Sequence, residues 1–419
     1  MRTETCRVCK HDLEPLLELG PLSINDFPQQ PGVRAHPPVS LDVARCPQCT
    51  LVQLWESTPR DWLYTTYWYR SGVNETMVTE LKHIVHEAMA RTHLKGGEHV
   101  LDIGANDGTL LLNYPRTTRC VGVEPADNMV KELKTHATIL PIHAFFPTER
   151  MRQFKDGTFK IITSIAMFYD LDDPLAFAAE VKRLLHPKGI WVIQFQDLAS
   201  MLTATAIDNV CHEHLEYYTY YALSYILSIN GLKAIDVIHS TVNGGSLRVT
   251  VGHKVSPETQ GGRARIMQQL AIEDELGLHP GGHLLGVQAM QTRLNLVRQV
   301  IPARLAEAKA KGMTVDVYGA STKGNTLLQL LGVNASIVRW AIERSPQKFG
   351  RYTVTDIPIV SEEKARADPA GMWLVMIWQF KQAMLVRERE YQARGGWLLF
   401  PLPQPELVMT AEEYHEAIK

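Results

Sequence analysis

The chain has 419 residues, with 43 Lys or Arg against 45 Asp or Glu and a formal net charge of −2. This balance provides no broad positive field to attract a polyphosphate backbone, which disfavours DNA and RNA as partners. Apolar residues make up 45% of the chain, a fraction typical of globular proteins, and the length exceeds what one hydrophobic core usually serves, so we expect two or three domains.

The amino-terminal segment, to about residue 65, contains two Cys-x-x-Cys pairs and is otherwise dominated by turn and loop residues. It is too small and too polar to be stabilised by burial alone, so we expect a cross-link. Four thiolates are the ligand set that zinc prefers, and they leave no open coordination position. The pattern predicts a structural zinc site without a catalytic role, with disulfide or redox pairs as the alternative. Its ligands are Cys6, Cys9, Cys46 and Cys49.

The first ten residues, MRTETCRVCK, contain no apolar segment of the kind found in signal peptides. No stretch of the chain approaches the roughly 18 uninterrupted apolar residues of a membrane span. We therefore expect a cytoplasmic protein that has no membrane partner.

An aromatic tract, Trp62 to Tyr69, leads into a predicted helix, SGVNETMVTELKHIVHEAMA. From residue 98, short apolar runs alternate with helical stretches: HVLDIG, CVGVEP, ATILPI, FKIITSIA, GIWVIQF, LKAIDVIHS and SLRVTVG. Short apolar runs separated by helices are typical of a mostly parallel, doubly wound sheet. The pattern predicts an α/β domain that ends near residue 252.

The loop that begins at the end of HVLDIG carries two glycines, Gly104 and Gly108, with Asn106 between them. Glycine lets a ligand lie close to the backbone at the sheet edge where α/β folds bind nucleotides. About 20 residues further on, Glu124 ends the next predicted strand with a carboxylate suited to ribose hydroxyls. The spacing departs from Gly-x-Gly-x-x-Gly, which disfavours NAD. The loop resembles the first motif of class I S-adenosylmethionine methyltransferases, with Asp102 at its acidic position; ordinary turn and cap residues are the alternative.

The stretch from Asp208 to Tyr218 gathers two imidazoles, three carboxylates and two phenols besides other residues. Histidine titrates near neutrality and is the usual general base, and an adjacent carboxylate raises its proton affinity. The stretch is therefore a candidate for a general base. A His-x-His metal chelate and a polar helix start with surface histidines are the alternatives, although helical zinc sites usually space their histidines as His-x-x-x-His.

After residue 252 come two long helical stretches and then a second α/β series: MTVDVYGAS, ASIVRWAIE, MWLVMIW and GGWLLFPLP. The turn from Gly319 to Asn325 follows VDVYG and offers hydroxyls, backbone N–H groups at a helix start and the cation of Lys323, all of which suit phosphate. It lacks the Gly-Lys-Ser/Thr end of a Walker loop, so ATP hydrolysis is not implied. A plain strand-to-helix turn is the alternative.

Together these residues resemble, over essentially the full length of the chain, the three-domain, zinc-containing C-methyltransferases that act on nucleotide-linked 4-keto-6-deoxy sugars. The four-cysteine segment, DIGANDGT, CHEHLEYYT, NGGSLR and YGASTKGN carry the resemblance. It implies an α/β protein with a zinc-binding module (residues 1–65) and a class I S-adenosylmethionine methyltransferase domain with a Rossmann-like fold (66–252). A second Rossmann-like domain that binds the nucleotide sugar follows (253–419).

In this family, the second histidine of His-Glu-His removes the proton on C3, beside the C4 ketone, and the resulting enolate is methylated. That role falls to His214, supported by Glu213. The resemblance assigns cofactor binding to Asp102, Gly104, Asn106, Gly108 and Glu124. It assigns substrate contacts to Tyr69, Tyr217, Asn243, Ser321, Lys323 and Arg344, with Lys348 as a further candidate for the diphosphate.

The chain departs from some members of the family in two places. They have a tyrosine where this chain has Cys211, and a histidine near where it reads Ala166-Met167-Phe168-Tyr169-Asp170. Stabilisation of the enolate oxygen then falls to other groups. The available phenols are Tyr169, Tyr217 and Tyr218.

The resulting prediction is a transferase of deoxysugar biosynthesis, a monomer or weak homodimer, that uses S-adenosylmethionine and one structural zinc ion. Its expected substrate is a dTDP- or GDP-linked keto sugar. A sugar O-methyltransferase would need the same loop and the same base, so the residues alone do not separate the two. A zinc-ribbon binding module attached to a methyltransferase of nucleic acid or protein is disfavoured by the balanced charge.

Overall fold

The computed structural model describes residues 3–64, 67–240 and 242–409. The side chain of Asn243, a predicted substrate contact, lies outside the described part of the chain. Packing divides the chain into two compact units. The first comprises Met1–Leu16, Val43–Ser200 and Glu213–Leu284, and the second comprises Leu17–Asp42, Met201–His212 and Leu285–Lys419. The domain boundaries near residues 65 and 252 remain a prediction.

A seven-stranded sheet forms the centre of the first unit. Its strands are β1 (His99–Ile103), β2 (Arg119–Glu124), β3 (Ile139–His143), β4 (Phe159–Ile165), β5 (Leu185–Phe195), β6 (Leu232–Ser240) and β7 (Ser246–His253). They lie in the order β6-β7-β5-β4-β1-β2-β3; β7 runs antiparallel to both of its neighbours, and the other pairs are parallel. Each apolar run that predicts a strand before residue 252 forms one of these seven strands.

The longest helix of the first unit packs on this sheet through an apolar stripe. The helix Glu75–Thr92 starts at Asn74, whose side chain accepts the N–H groups of Thr76 and Met77, as an N-cap residue does. Its buried apolar residues recur at helical spacing and belong to one apolar cluster with residues of the sheet. The other helices that begin in this unit are Arg60–Tyr64, Asp127–Leu133, Pro174–Leu184, Leu198–Thr203, Tyr220–Ile229 and Gly262–Glu275.

A four-stranded sheet joins the four-cysteine segment to a later part of the chain. It consists, in spatial order, of Glu14–Leu17, Val43–Arg45, Val52–Leu54 and Glu216–Tyr217. The last of these strands comes from the CHEHLEYYT stretch and pairs antiparallel with Val52–Leu54. The pairing is long-range, so no local sequence pattern indicates it.

The second unit is built on a six-stranded sheet. Its strands are β8 (Val315–Tyr318), β9 (Ala341–Glu343), β10 (Ile359–Ser361), β11 (Met372–Val375), β12 (Trp397–Phe400) and β13 (Glu406–Val408). The spatial order is β10-β9-β8-β11-β12-β13, and all pairs are parallel except β12 with β13. This second sheet confirms the predicted fold class, two α/β sheets in succession.

The remaining elements of the second unit are short, apart from one long helix. A two-stranded sheet pairs Pro21–Leu22 with Val39–Ser40. The helices are Leu285–Ala310, Thr322–Leu330, Glu362–Ala367, Lys381–Arg387 and Arg389–Ala393. Across the residues that the structure describes, no helix is both long enough and apolar enough to cross a membrane.

A buried carboxylate in the first unit makes its stability depend on pH. Glu273, in the helix Gly262–Glu275, is fully buried and accepts hydrogen bonds from the backbone N–H of Tyr220 at 2.5 Å and from Gln269 Nε2 at 2.8 Å. Burial raises the pKa of Glu273 from 4.5 to about 7, although these bonds oppose the rise. The folded state therefore holds this proton more tightly than the unfolded chain, and the stabilisation is lost as the pH rises through about 7.

We expect the variant Glu273→Gln, which cannot ionise, to lose less unfolding free energy between about pH 5 and about pH 8 than the wild type. The difference should be at most about 3 kcal/mol, because one pKa unit corresponds to about 1.4 kcal/mol. Urea unfolding across this range measures it. The matched control is Glu275→Gln, an exposed carboxylate in the same helix. Equal pH slopes for wild type and Glu273→Gln would contradict the assignment.

Candidate functional site

The strand order of the first unit reverses beside β1. The chain passes from β1 to β2 and β3 on one side and then returns to β4 on the other side of β1. Open α/β sheets bind ligands at such a reversal, beyond the carboxyl ends of the strands. The loops that follow β1 and β4 meet there, since a Cβ added to Gly104 would lie 2.9 Å from Met167 Cγ. Gly104 also has φ of +76°, so both the lack of space for a Cβ and the backbone conformation favour glycine at this position.

Glu124 ends β2 next to this crevice. Its Oε2 accepts the backbone N–H of Asn106 at 2.8 Å, and its Oε1 accepts that of Ala126 at 2.9 Å. Burial raises the pKa of the Glu124 carboxyl, and the two backbone bonds oppose the rise. Each carboxylate oxygen can accept a further hydrogen bond. The group is therefore fixed in orientation and still able to bind a pair of hydroxyls.

Asp102 lies inside the sheet, near the end of β1. It is buried, and its Oδ1 accepts a hydrogen bond from Thr163 Oγ1 of β4 at 2.6 Å. Burial raises the pKa of Asp102 to about 8, with the nearby charge of Glu124 as a smaller cause. The side chain therefore ties together the two strands that border the crevice. The second glycine of the loop, Gly108, has φ of +85° and would place a Cβ 2.9 Å from Leu133 Cδ1.

The aromatic segment, residues 67–72, lies along the loops that follow β1 and β2. Its backbone N–H groups at Ser71 and Gly72 donate to Asn106 Oδ1 at 3.0 Å and Asp107 Oδ2 at 2.8 Å. Asn128 exchanges two hydrogen bonds with the backbone of Tyr67. The segment therefore covers the predicted cofactor loop. Tyr69 is 40% exposed, and its role as a substrate contact remains a prediction.

His214 meets the loop that follows β4. The imidazole is 9% exposed, and its centroid lies 4.2 Å from that of the Tyr169 ring, with 52° between the planes. Glu213 is partly buried. The predicted base therefore contacts the loop after β4, and that loop also meets the predicted cofactor loop at Gly104.

One carboxyl group beside this crevice, that of Asp170, was not among the residues predicted for the site. Asp170 follows Tyr169, and burial raises its pKa well above the usual value, with Glu213 and Glu216 as further causes. Its buried Oδ1 has no hydrogen-bond partner within the described part of the chain. The position directly after a predicted strand was the available signal for Asp170.

Tyr67 is a second functional candidate that the sequence analysis missed. Burial raises the pKa of its phenol well above the usual value, and the charges of Asp170, Glu213 and Glu124 raise it further. The Tyr67 hydroxyl therefore interacts electrostatically with Glu124 of the predicted cofactor site and with Glu213 beside the predicted base. A tyrosine inside an aromatic tract gives no sequence signal that distinguishes it from its neighbours.

The other members of the CHEHLEYYT stretch are placed differently from His214. His212 belongs to the second unit, where its Nε2 lies 3.1 Å from the carbonyl oxygen of Val39, and burial lowers its pKa to about 4. It is therefore neutral near neutral pH. Tyr217 and Tyr218 are buried, and the Tyr218 ring packs against Phe168. The two histidines, which are two residues apart in the sequence, therefore belong to different units.

The four predicted metal ligands form one cluster. Their Sγ atoms all lie within 4.8 Å of one another, with Cys6 and Cys49 at 3.5 Å and Cys9 and Cys46 at 3.3 Å. Four sulfurs at about 2.3 Å from a tetrahedral zinc ion are about 3.8 Å apart. Backbone N–H groups also point at the Sγ atoms of Cys6 and Cys46. This donor set fits a zinc ion with no open position.

A second crevice lies at the reversal of strand order in the second unit, between β8 and β11. Gly319 follows β8 with φ of +96°, and a Cβ there would lie 2.7 Å from Ile377 Cγ2. Ser321 caps the helix Thr322–Leu330 by accepting the N–H of Gly324 at 2.9 Å. Lys323, in the first turn, is partly buried. The predicted phosphate-binding turn therefore has the expected strand-to-helix geometry.

Asp208 and Trp378 border this turn, a placement that was not predicted from the sequence. The carboxyl of Asp208 is buried and accepts a hydrogen bond from Trp378 Nε1 at 2.9 Å. Burial raises the pKa of Asp208, and the charge of Lys323 opposes the rise.

The two other cations that the sequence analysis proposed for the diphosphate differ in their surroundings. Arg344 is exposed. Lys348 is buried, and its Nζ donates to the carbonyl oxygen of Ala320 at 2.7 Å and to Glu343 Oε2 at 3.0 Å. The ammonium of Lys348 thus already holds the turn in place.

Three protein-family models match consecutive parts of the chain. Their descriptions are "Putative zinc binding domain" for residues 6–64, "Methyltransferase domain" for residues 73–237 and "C-methyltransferase C-terminal domain" for residues 241–403. C-methyltransferase NovU from Streptomyces niveus is 26% identical over 417 residues, which cover 97% of each chain. The chain is an S-adenosylmethionine-dependent methyltransferase, and these matches support methylation on carbon.

This methyltransferase has weaker similarity to other proteins. An uncharacterized methyltransferase, C1B3.06c, from Schizosaccharomyces pombe is 26% identical over 156 residues, 34% of this chain and 56% of that protein. A SAM dependent methyltransferase from Aquifex aeolicus has a TM-score of 0.31 and 17% identity over 42% of this chain and 97% of that chain. The CcbJ methyltransferase from Streptomyces caelestis has a TM-score of 0.36 and 14% identity over 44% and 93%. TM-scores below 0.5 do not establish a shared overall fold.

Proposed function

We propose that this methyltransferase acts on a nucleotide-linked 4-keto-6-deoxy sugar and methylates C3, the carbon beside the ketone. The observation that carries the proposal is the position of His214, buried against Tyr169 at the strand-order reversal beside the predicted cofactor loop. The resemblance in the His-Glu-His stretch supports the acceptor class. The base, the cofactor loop and a phosphate-type turn are the three groups that such a reaction needs.

In the proposed mechanism, neutral His214 takes the proton from C3, and the carbon keeps the electron pair as part of an enolate. Glu213 stabilises the imidazolium that forms. S-adenosylmethionine, when bound, supplies the electrophilic methyl group for which the enolate carbon is the nucleophile. Glu124 would hold its ribose hydroxyls, and Asp102 with the loop Gly104, Asn106 and Gly108 would support the rest of the cofactor.

The negative charge that develops on the C4 oxygen needs hydrogen-bond donors. The raised pKa of Tyr67 keeps its phenol protonated, and the raised pKa of Asp170 favours a neutral carboxylic acid that can donate. Tyr169 supplies a third hydroxyl next to the base. These groups are our candidates for the oxyanion site, in place of the histidine that some members of the family that the chain resembles have near this loop.

The second unit is proposed to bind the nucleotide diphosphate. Ser321, Lys323 and the first N–H groups of the helix Thr322–Leu330 form the phosphate-binding turn, since a helix start with a cation suits phosphate. Arg344 is exposed and available for the same charge. Tyr69, Tyr217 and Asn243 remain proposed sugar contacts. One zinc ion is proposed for the four-cysteine cluster.

The test is proton exchange in D2O. The protein is incubated with a dTDP- or GDP-linked 4-keto-6-deoxy sugar, with and without S-adenosylmethionine, and the sugar is followed by NMR and mass spectrometry. We expect enzyme-dependent deuterium at C3 and, with the cofactor, one added methyl group on that carbon. Methylation without exchange, on a hydroxyl, would replace the proposal with O-methylation. Absence of both, with the cofactor still bound, would refute the acceptor class.

A further inference from the structure

A buried ion pair links the four-cysteine segment, called the zinc-binding segment below, to the stretch that carries the predicted base, in addition to the strand pairing of Val52–Leu54 with Glu216–Tyr217. Arg7 lies between two of the cysteine ligands, and its side chain is 5% exposed. Its Nε is 3.2 Å from Oε1 of Glu216, whose side chain is fully buried. Arg7 Nη2 donates to Ser57 Oγ at 2.7 Å, and its backbone N–H donates to Gln53 Oε1 at 2.9 Å. The arginine is therefore held rigidly within the zinc-binding segment.

Glu216 connects Arg7 to the backbone beside both rings of the candidate active site, those of His214 and Tyr169. Its Oε2 accepts the backbone N–H of Leu171 at 3.2 Å, and its own N–H donates to the carbonyl oxygen of Tyr169 at 3.0 Å. Glu216 stands two residues after His214, and Leu54 N–H donates to the carbonyl of Leu215 at 2.9 Å. The backbone on either side of the His214–Tyr169 ring contact is thus bonded to Glu216 or to the zinc-binding segment.

We propose that Arg7 and Glu216 are positioning residues, which fix the imidazole of His214 against Tyr169 and so make the zinc-binding segment a part of the catalytic geometry. The proposal rests on the proposed function in one respect, the role of His214 as the base. Neither Arg7 nor Glu216 needs to touch the substrate.

Positioning residues matter here because the rate of proton transfer is sensitive to the distance between the base and the carbon. A displacement of about 1 Å in a catalytic group can cost about 10²-fold in rate. The strand Glu216–Tyr217 has only two residues paired in the small sheet, so its backbone bonds alone define its position weakly. A buried carboxylate that loses its cation must either be protonated or move toward water. Loss of Arg7 would therefore shift the strand and the loop together.

The test compares Arg7→Met, Arg7→Lys and Glu216→Gln in the full-length, zinc-loaded protein. We expect Arg7→Met to lower kcat and the C3 exchange rate by about 10²-fold, with zinc content and the Kd for S-adenosylmethionine unchanged. Arg7→Lys should recover part of the rate, because an ammonium restores the charge. The control is Arg91→Met, which removes an arginine 2.6 Å from the buried Asp236 elsewhere in the first unit and should leave kcat unchanged.

A readout without substrate separates this proposal from the proposed function. The imidazole of His214 should show a ring-current shift from Tyr169 in the NMR spectrum, and Arg7→Met should change that shift while Arg91→Met does not. If no keto sugar is methylated, this change still supports the positioning role. If Arg7→Met does not fold, Glu216→Gln decides, since it keeps the shape and an acceptor for Leu171. A folded variant with wild-type kcat and an unchanged His214 signal overturns the proposal.

Discussion

The variant His214→Asn should lose turnover by about 10²–10⁴-fold, the usual contribution of a general base. Asparagine keeps a polar group of similar size next to Tyr169 but cannot accept the C3 proton. Because the predicted cofactor loop lies on β1 and β2 rather than on the His214 stretch, the Kd for S-adenosylmethionine should stay within about twofold, a small change in free energy by comparison. Steady-state kinetics, the C3 exchange rate and calorimetric cofactor binding measure the three quantities.

The matched control for this experiment is His186→Asn. His186 stands at the beginning of β5, at the end of the strand opposite to the crevice, and its Nδ1 accepts the backbone N–H of Lys188. Its replacement should leave turnover unchanged. If His214→Asn keeps the wild-type exchange rate, His214 is not the base. If it loses methylation but keeps exchange, another group removes the proton and His214 acts later in the reaction.

The variant Cys46→Ser should lose the zinc ion and with it the folded four-cysteine segment. Structural zinc sites contribute about 10–16 kcal/mol of apparent binding free energy in small zinc-finger peptides, and most of that energy is folding energy. The metal content should fall from one zinc per chain to well below one. Elemental analysis measures the metal, and limited proteolysis reports the folding of the segment.

Turnover should fall together with the zinc content of Cys46→Ser, because Val52–Leu54 pairs with the strand that follows His214. The control is Cys120→Ser, a buried cysteine of β2 outside the cluster. A Cys46→Ser protein with one zinc per chain and wild-type stability would contradict the predicted ligand set. A chelator applied to the unfolded wild type should likewise prevent refolding of this segment.

The two alternatives to a sugar C-methyltransferase are O-methylation of the sugar and methylation of a nucleic acid or protein, and they differ in their support. C-methylation is supported by the match to a C-methyltransferase C-terminal domain and by the similarity to C-methyltransferase NovU over nearly the whole chain. Methylation of a nucleic acid or protein finds no support in the balanced charge. O-methylation of the sugar remains a distinct outcome of the exchange experiment, since a hydroxyl needs the same kind of base.

Much of the fold could be predicted because its signals are local. The seven strands of the first sheet appear as short apolar runs, and the run VDVYG followed by small and polar residues predicts the strand β8 and the start of the helix Thr322–Leu330. Burial on both faces of a parallel strand requires such runs, so the pattern is imposed by the fold itself. The spacing of the cysteines within each pair is equally local. Four cysteines are the number that a tetrahedral zinc site needs, so they predict the metal.

The sequence by itself determined the α/β fold class, the four thiolates and the loop that follows β1, because periodicity and spacing record them directly. Only the tertiary structure decided that His214 meets Tyr169 while His212 packs in the second unit, and that Arg7 pairs with Glu216. These facts depend on contacts between residues far apart in the chain. The energy of such a contact depends on the burial and the charges around the two residues, and only the folded backbone defines these surroundings. The sequence near either partner therefore does not indicate the contact.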